Sequence, residues 1–516
     1  MVVNHKGFLC SLLAKACKPT NVNFFDLEQW IQDVENLPKP TKEHLEAIKR
    51  QKKEKKIKNK AAGKSTYTIL HINDIHMDPD YVAGQAVDCK DAILCCRPGS
   101  IPASKDPSKV KLSGKWGSYG GCDLPPRTFL EFLRNAKDLN PDFVFLLGDN
   151  AHHDTLQLTN PKLLQLNQYI ADNMRETFPN SKLIFSIGNH GSYPSDEYDL
   201  EGNRTMLTDM AKAFGVFFTE QEKAEFQQYG FYQVYRPEMG LRIVSIFSHD
   251  MDARNFYLIN RNWDDNVFFN WLKAILVEAE QKGEAVFITT HIPPGISTSL
   301  SVWCDAFNAL VDRFRDTVKA IFGAHTHVDQ LFFHRGKKGL NAVDFVGPSL
   351  TTNFRLNPTY RLYTVDAKTH TILDYDQYVM DLAKWNSQPQ TQHVQFVLRY
   401  KFTELYGLPD LSKESMEIMY QKLVVEQDPV WKKKYLEHKR SYNGKGAYHK
   451  PNQAYKDANS RWRCQFLDNQ RDYMHCIGFK NAFEMFLDRK GLSTALANFM
   501  PFYLKYNKIS EINISE

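Results

Sequence analysis

Seven residues of the kinds that bind metal ions follow short apolar runs at five places in this 516-residue chain. Ile69–Ile72 leads into Asp74 and His76, Phe143–Leu147 into Gly148-Asp149, and Leu183–Ile187 into Gly188-Asn189-His190. Val286–Thr290 leads into His291, and Ala320–Phe322 into Gly323-Ala324-His325-Thr326-His327. Imidazole nitrogens mixed with carboxylate and amide oxygens, and no thiolate, suit zinc or a similar divalent ion. Seven donors are too many for one four-coordinate ion. They suit two ions that share a carboxylate, roughly 3.5–4 Å apart, the spacing used for displacement at phosphorus. A single histidine after a strand is usually an ordinary loop or core residue. The recurrence at five strand ends carries the reading.

Short apolar runs separated by helix-like stretches read as strands of an α/β sheet. In such sheets functional residues collect at the carboxyl ends of strands. Pro125–Asp138, a stretch near Lys162–Thr177, and Asp264–Gln281 read as helices, and Arg242–Phe247 as a further strand. The region from Val343 to about Asp376 alternates aromatic and polar residues and completes the sheets; from about Gln377 the composition turns helical and aromatic-rich. The expected organisation is an N-terminal segment (1–20), a Pro/Lys-rich linker (21–66), a catalytic domain (67–376) and a C-terminal helical subdomain (377–516).

The ordered motifs D-x-H, G-D, G-N-H, H and G-x-H-x-H are similar to those of the calcineurin-like metallophosphoesterases. Leu94-Cys95-Cys96-Arg97, Cys122-Asp123-Leu124-Pro125, Gly148-Asp149 through His153-Asp154, and His291-Ile292-Pro293-Pro294-Gly295 narrow the resemblance to the acid sphingomyelinase family. So do His325-Thr326-His327-Val328-Asp329 and Leu356-Asn357-Pro358-Thr359-Tyr360-Arg361, and the match runs from about residue 67 to about residue 480. The resemblance implies a β-sandwich flanked by helices, with a C-terminal helical subdomain. It implies two zinc ions, one held by Asp74, His76, Asp149 and His327 and the other by Asp149, Asn189, His291 and His325. Asp149 would bridge, and a hydroxide between the ions would attack phosphorus. His153 and His190 match the family histidines that protonate the leaving group, His153 having a competing role as an orienter of Asp149 or of the phosphate. His152 falls three residues after Asp149, where purple acid phosphatases carry an iron-binding tyrosine, so zinc is preferred over ferric iron. Two departures bear on substrate contacts and pH optimum. Gly191 follows G-N-H where the family commonly has Glu, and Ser245–His249 lacks the asparagines usual after that strand.

The implied activity is hydrolysis of sphingomyelin to ceramide and phosphocholine in a lysosomal or extracellular setting. Two alternatives stay open: a sphingomyelinase-like phosphodiesterase acting on nucleotides or other soluble phosphoesters, and an inactive lipid-binding protein. The implied disulfides are Cys89–Cys95 and Cys96–Cys122, and Cys464 and Cys476 look like a further pair. Cys304 has no evident family partner. Cys10 and Cys17 sit in a segment similar to the end of a saposin-type domain, which also reads as a short signal peptide or a plain arm. Asn203-Arg204-Thr205 is a glycosylation sequon.

Bulk properties agree with a globular enzyme. Hydrophobic residues make up 42% of the chain, aromatics 13%, and no run of 18 apolar residues occurs. The net charge of +5 is concentrated in Lys49–Lys60, and the remainder is near neutral or slightly acidic. No nucleic-acid partner or obligate protein partner is expected. The basic stretch reads as a solvated linker or as a contact for an anionic membrane surface. Clustered cysteines between the first two metal motifs point to an oxidising compartment.

Overall fold

Among the described residues, twelve strands form two six-stranded sheets. The computed structural model describes residues 26–48, 50, 65–90, 92–199, 202, 204–259, 267–296, 298–389, 392–439, 441 and 466. Cys10, Cys17, the basic residues beyond 50, Asn203, Cys464 and Cys476 lie outside the described residues. The first sheet contains β1 (Thr66–Ile72), β2 (Phe143–Leu146), β3 (Lys182–Phe185), β10 (Thr359–Asp366), β11 (Ile372–Val379) and β12 (Val397–Lys401), in the order β12-β11-β10-β1-β2-β3. The second contains β4 (Tyr232–Arg236), β5 (Leu241–Ser245), β6 (Ala285–Thr289), β7 (Val318–Gly323), β8 (Gln330–Gly336) and β9 (Gly339–Val346), in the order β4-β5-β6-β7-β9-β8.

The strands that precede the candidate ligands are parallel, and all but the edge strand β3 lie inside their sheets. β1 pairs with β2 and β2 with β3 in one sheet, and β5 with β6 and β6 with β7 in the other. Residues of β2 and β6 are buried throughout, which is why these strands read as continuous apolar runs and not as alternating ones. β10 and β11 pair antiparallel and alternate buried with partly exposed residues. The sheets meet through aromatic edges: Phe322 of β7 lies 5.0 Å from Phe145 of β2 and 5.1 Å from Tyr363 of β10, centroid to centroid. Ser186, just past β3, also reaches Ser245 of β5 at 2.9 Å.

Helices cover the outer faces with apolar stripes at three- and four-residue spacing. Helix Asn160–Thr177 buries Leu163, Leu166, Ile170 and Met174, and the Thr159 side chain caps it by accepting the Lys162 N–H. Helix Val267–Lys282 buries Phe268, Leu272, Ile275 and Ala279. Within the stretch read as a linker, Leu27–Glu35 is a helix with Asp26 as its cap and Trp30 and Val34 buried. It packs on helix Ser301–Arg313, where the Trp30 indole N–H donates to Ala306 O. After β12 the chain continues in helices Phe402–Tyr406, Lys413–Tyr420 and Pro429–Lys439. Among the described residues, no helix is long and apolar enough to cross a membrane.

Candidate metal centre

The carboxyl ends of β1, β2, β3, β6 and β7 deliver all seven sequence-predicted ligands to one place. Backbone geometry there is unusual. Asp74, His76, Asp149, His325 and His327 all have left-handed φ, between +41° and +69°. Such residues cost free energy unless their surroundings fix them, and they gather where function requires it. Their surroundings do fix them. Asp74 N–H donates to Gly148 O, His76 N–H to Asp149 O, and His325 N–H to Asp74 Oδ2. Close approach of the loops also requires the motif glycines: a Cβ on Gly148 (φ +86°) would sit 2.4 Å from Gly188 N, and one on Gly188 would sit 2.1 Å from Asp149 Oδ1.

Two overlapping donor sets result. In the first, His327 Nε2 lies 3.2 Å from both Asp74 Oδ1 and His76 Nε2. In the second, His291 Nε2 lies 3.2 Å from Asp149 Oδ2 and 3.1 Å from Asn189 Oδ1, and the His325 ring centroid is 5.2 Å from that of His291. Donor atoms of Asp74, His76 and His327, and separately those of Asp149, His291 and His325, lie within 4.8 Å of one another. Asp149 Oδ2 stands between the sets, 3.5 Å from His76 Nε2 as well as 3.2 Å from His291 Nε2.

The chemistry of these contacts fits cations. His76 Nδ1 faces Ala151 O at 2.8 Å and His291 Nδ1 faces Leu147 O at 2.6 Å. A carbonyl only accepts, so both Nδ1 atoms carry hydrogen, and in the neutral rings Nε2 presents a lone pair. Those lone pairs point at carboxylate and amide oxygens. Lone pairs facing one another at such distances need positive charge between them. Protons supply part of it: burial disfavours charged His291, but Asp149 and Asp74 outweigh burial and push its pKa to about 9. The same attraction holds Asp149 and Asp74 well below the usual carboxylate range against the cost of burial. Asp74 Oδ1 and His327 Nδ1 are buried without a hydrogen bond among the described residues. The residues present fit two divalent ions.

The two histidines expected to handle protons lie on one side of this centre. His153 stacks on His76 with centroids 3.7 Å apart, and His190 is edge-on to His153 at 4.9 Å. His190 N–H donates to Asp149 Oδ1. His153 Nδ1 is held by both oxygens of buried Asp123, at 2.9 and 3.0 Å, and its backbone N–H donates to Asp123 Oδ2. Burial lowers the pKa of both rings; the Asp123 carboxylate reverses the effect for His153 and raises it, whereas His190 stays well below the ordinary value. His152 has Arg97, Asp78, Asp123 and Asp154 as its charged neighbours.

Several supporting groups were not singled out from the sequence. Asp123 lay in a recognised motif, yet its partner is 30 residues away. Asn353 donates to Asp123 Oδ1, and next to it Phe354 (φ +58°) places an exposed ring 5.8 Å from His153 and 5.2 Å from His327. Arg97 joins Asp78 to Asp154, and Arg254 joins Asp252 to Asp196.

Comparison with known proteins agrees with this geometry. Residues 67–329 match the calcineurin-like phosphoesterase family, and residues 342–482 match the acid sphingomyelin phosphodiesterase C-terminal region. Sphingomyelin phosphodiesterase B of Dictyostelium discoideum is 29% identical over 75% of this chain and 60% of its own length. Sphingomyelin phosphodiesterase of Homo sapiens is 34% identical over 66% of this chain and 55% of its own. Sphingomyelin phosphodiesterase 2 of Caenorhabditis elegans is 31% identical over 70% and 63%. The chain thus spans under two thirds of the length of these relatives. It belongs to the calcineurin-like phosphoesterase family, with sphingomyelin phosphodiesterases among its homologues.

Proposed function

We propose that the chain is a phosphodiesterase that hydrolyses sphingomyelin to ceramide and phosphocholine with two zinc ions. One ion is held by Asp74, His76, Asp149 and His327, the other by Asp149, Asn189, His291 and His325. The observation that carries the reading is the position of Asp149 Oδ2 between His76 Nε2 and His291 Nε2. When bound, the ions supply an activated water and electrostatic stabilisation of the phosphoryl oxygens. The protein supplies the rest. His153, protonated and aligned by Asp123, turns Nε2 toward the cleft and gives its proton to the departing ceramide oxygen. Ionised Asp123 offsets the charge of the ring while it waits. His190 stays neutral and offers a hydrogen bond to phosphoryl oxygen. Leu156, three residues after His153, and Phe354, whose ring lies 5.8 Å from that of His153, are each 57% exposed and give an acyl chain apolar surface beside the cleft.

Metal analysis and substrate comparison test the proposal. The purified protein is expected to bind two zinc ions and to release phosphocholine from sphingomyelin vesicles faster than it cleaves CDP-choline or ATP. A reversed preference overturns the lipid assignment, and absence of turnover with two bound ions leaves only the binding-protein alternative. Asp149→Asn is expected to cut turnover by about 10³-fold, the upper end for loss of one electrostatic group. Unchanged activity would refute the bridging role.

A further inference from the structure

An amide ligand has an orientation problem that a carboxylate lacks. Its oxygen must face the cation and its nitrogen must face an acceptor, although the two ends have nearly the same shape. Asn189 Oδ1 faces His291 Nε2 at 3.1 Å, and its amide nitrogen is buried without a close hydrogen bond among the described residues. Beside it lies Asp196. The Asp196 N–H donates to Asn189 O at 2.8 Å, so Asp196 holds the backbone that carries the amide. Asp196 has φ +67°, a conformation that persists only when neighbours hold it.

Those neighbours come from the loop after β5, in the other sheet. Arg254 Nη2 pairs with Asp196 Oδ1 at 3.1 Å, and the same guanidinium grips fully buried Asp252 through Nε (3.1 and 3.2 Å) and Nη2 (2.8 Å). Asn255 and Phe256 continue the join: Asn255 accepts from Tyr198 N–H and donates to Tyr198 O, and Phe256 N–H donates to Glu197 Oε2. This loop is the one that lacks the asparagines expected after the strand.

We propose that Arg254 is a positioning residue which, through Asp196 and its bond to the Asn189 backbone, holds Asn189 with its amide oxygen toward the second metal position, so that affinity for one of the two ions depends on a residue that touches neither. The assignment rests on the binuclear reading given above. A planar guanidinium holding two carboxylates at set angles suits the task, whereas an ammonium is a point charge that can serve them only loosely.

The test is zinc binding by the whole chain at buffered free zinc, for wild type, Arg254→Met, Arg254→Lys and Asp196→Asn. Thermal unfolding of each metal-free protein checks that it is folded. Wild type is expected to fill two sites. Arg254→Met is expected to keep one site at wild-type affinity and to weaken the other about 10–100-fold, the usual effect of losing a group behind a ligand. Arg254→Lys falls between, and Asp196→Asn weakens the same single site. If Arg254→Met does not fold, Asp196→Asn decides. Two wild-type affinities in the folded variants, or equal weakening of both sites, overturns the role of Arg254 alone. Failure of wild type to bind two ions overturns the binuclear reading, and this proposal with it.

Discussion

A histidine becomes a metal ligand or a proton donor according to what holds its other nitrogen. His76 and His291 are held by the carbonyls of Ala151 and Leu147, which fix the tautomer without adding full charge. His153 is held by a carboxylate, which favours its protonated form. Burial opposes that charge, Asp123 overcomes burial, and the pKa ends above the ordinary value. A proton donor with a raised pKa works below that pKa and is lost as the pH climbs through it. Asp123→Asn should therefore move the alkaline limb of kcat/KM to lower pH by about one unit and slow the reaction by about 10–100-fold, with two ions still bound. A limb that stays in place would remove His153 from the role of acid. The seven candidate ligands could be read from the sequence because each follows a strand end. Their supports could not. Ala151 and Leu147 act through backbone carbonyls, which every residue possesses, and Asp123 meets His153 only through the fold.

At the scale of elements, strands buried on both faces announce themselves as apolar runs, and β2, β3, β6 and β7 fall where those runs lie. Strand order does not. β10, late in the chain, pairs antiparallel with β1, and β9 inserts between β7 and β8. β12 is an edge strand whose first three residues are exposed, so it carries little apolar signal. Helix Leu27–Glu35 buries only Trp30 and Val34, too narrow a stripe to stand out in a Pro/Lys-rich stretch. One strand also holds an expensive residue. Asp344 of β9 is fully buried, neither carboxylate oxygen has a hydrogen bond among the described residues, and burial pushes its pKa to about 8. In the unfolded chain it would ionise near 4. Below about pH 4 both states hold the proton and Asp344 costs no charge burial. Between about 4 and 8 only the unfolded chain ionises, so stability falls with rising pH by up to about 1.4 kcal/mol per unit. Above about 8 the loss levels off. Asp344→Asn removes this dependence. Urea unfolding at pH 5, 6.5 and 8 should show the variant gaining on wild type as pH rises, and a constant difference would contradict the burial argument.

For the whole molecule, the centre is braced from two directions. On one side, Asp329, two residues past His327, pairs with buried Arg361, accepts from the Tyr400 hydroxyl and donates its N–H to Lys439 O. Asn357, just before β10, donates to Ser441 O, so the C-terminal helices are tied to the first sheet. On the other side, the long excursion after β1 is closed by Cys89–Cys95 and Cys96–Cys122, as the family resemblance implied. Two disulfides suit an oxidising, non-cytoplasmic environment. The bridges should contribute differently. Cys89–Cys95 spans 6 residues and Cys96–Cys122 spans 26, which by loop entropy correspond to about 2 and about 3.5 kcal/mol. Position separates them further. Cys122 immediately precedes Asp123, the partner of His153, and Cys96 precedes Arg97, which joins Asp78 to Asp154 beside that histidine. Replacing Cys89 and Cys95 together by Ser should lower the unfolding midpoint and leave the pH–rate profile in place. Replacing Cys96 and Cys122 should cost more stability and also displace the alkaline limb, because Asp123 loses its anchor. Equal stability losses with unchanged profiles would mean that the excursion only covers the site. A displaced limb in the second variant alone would mean that the covalent brace reaches through Asp123 into the proton transfer.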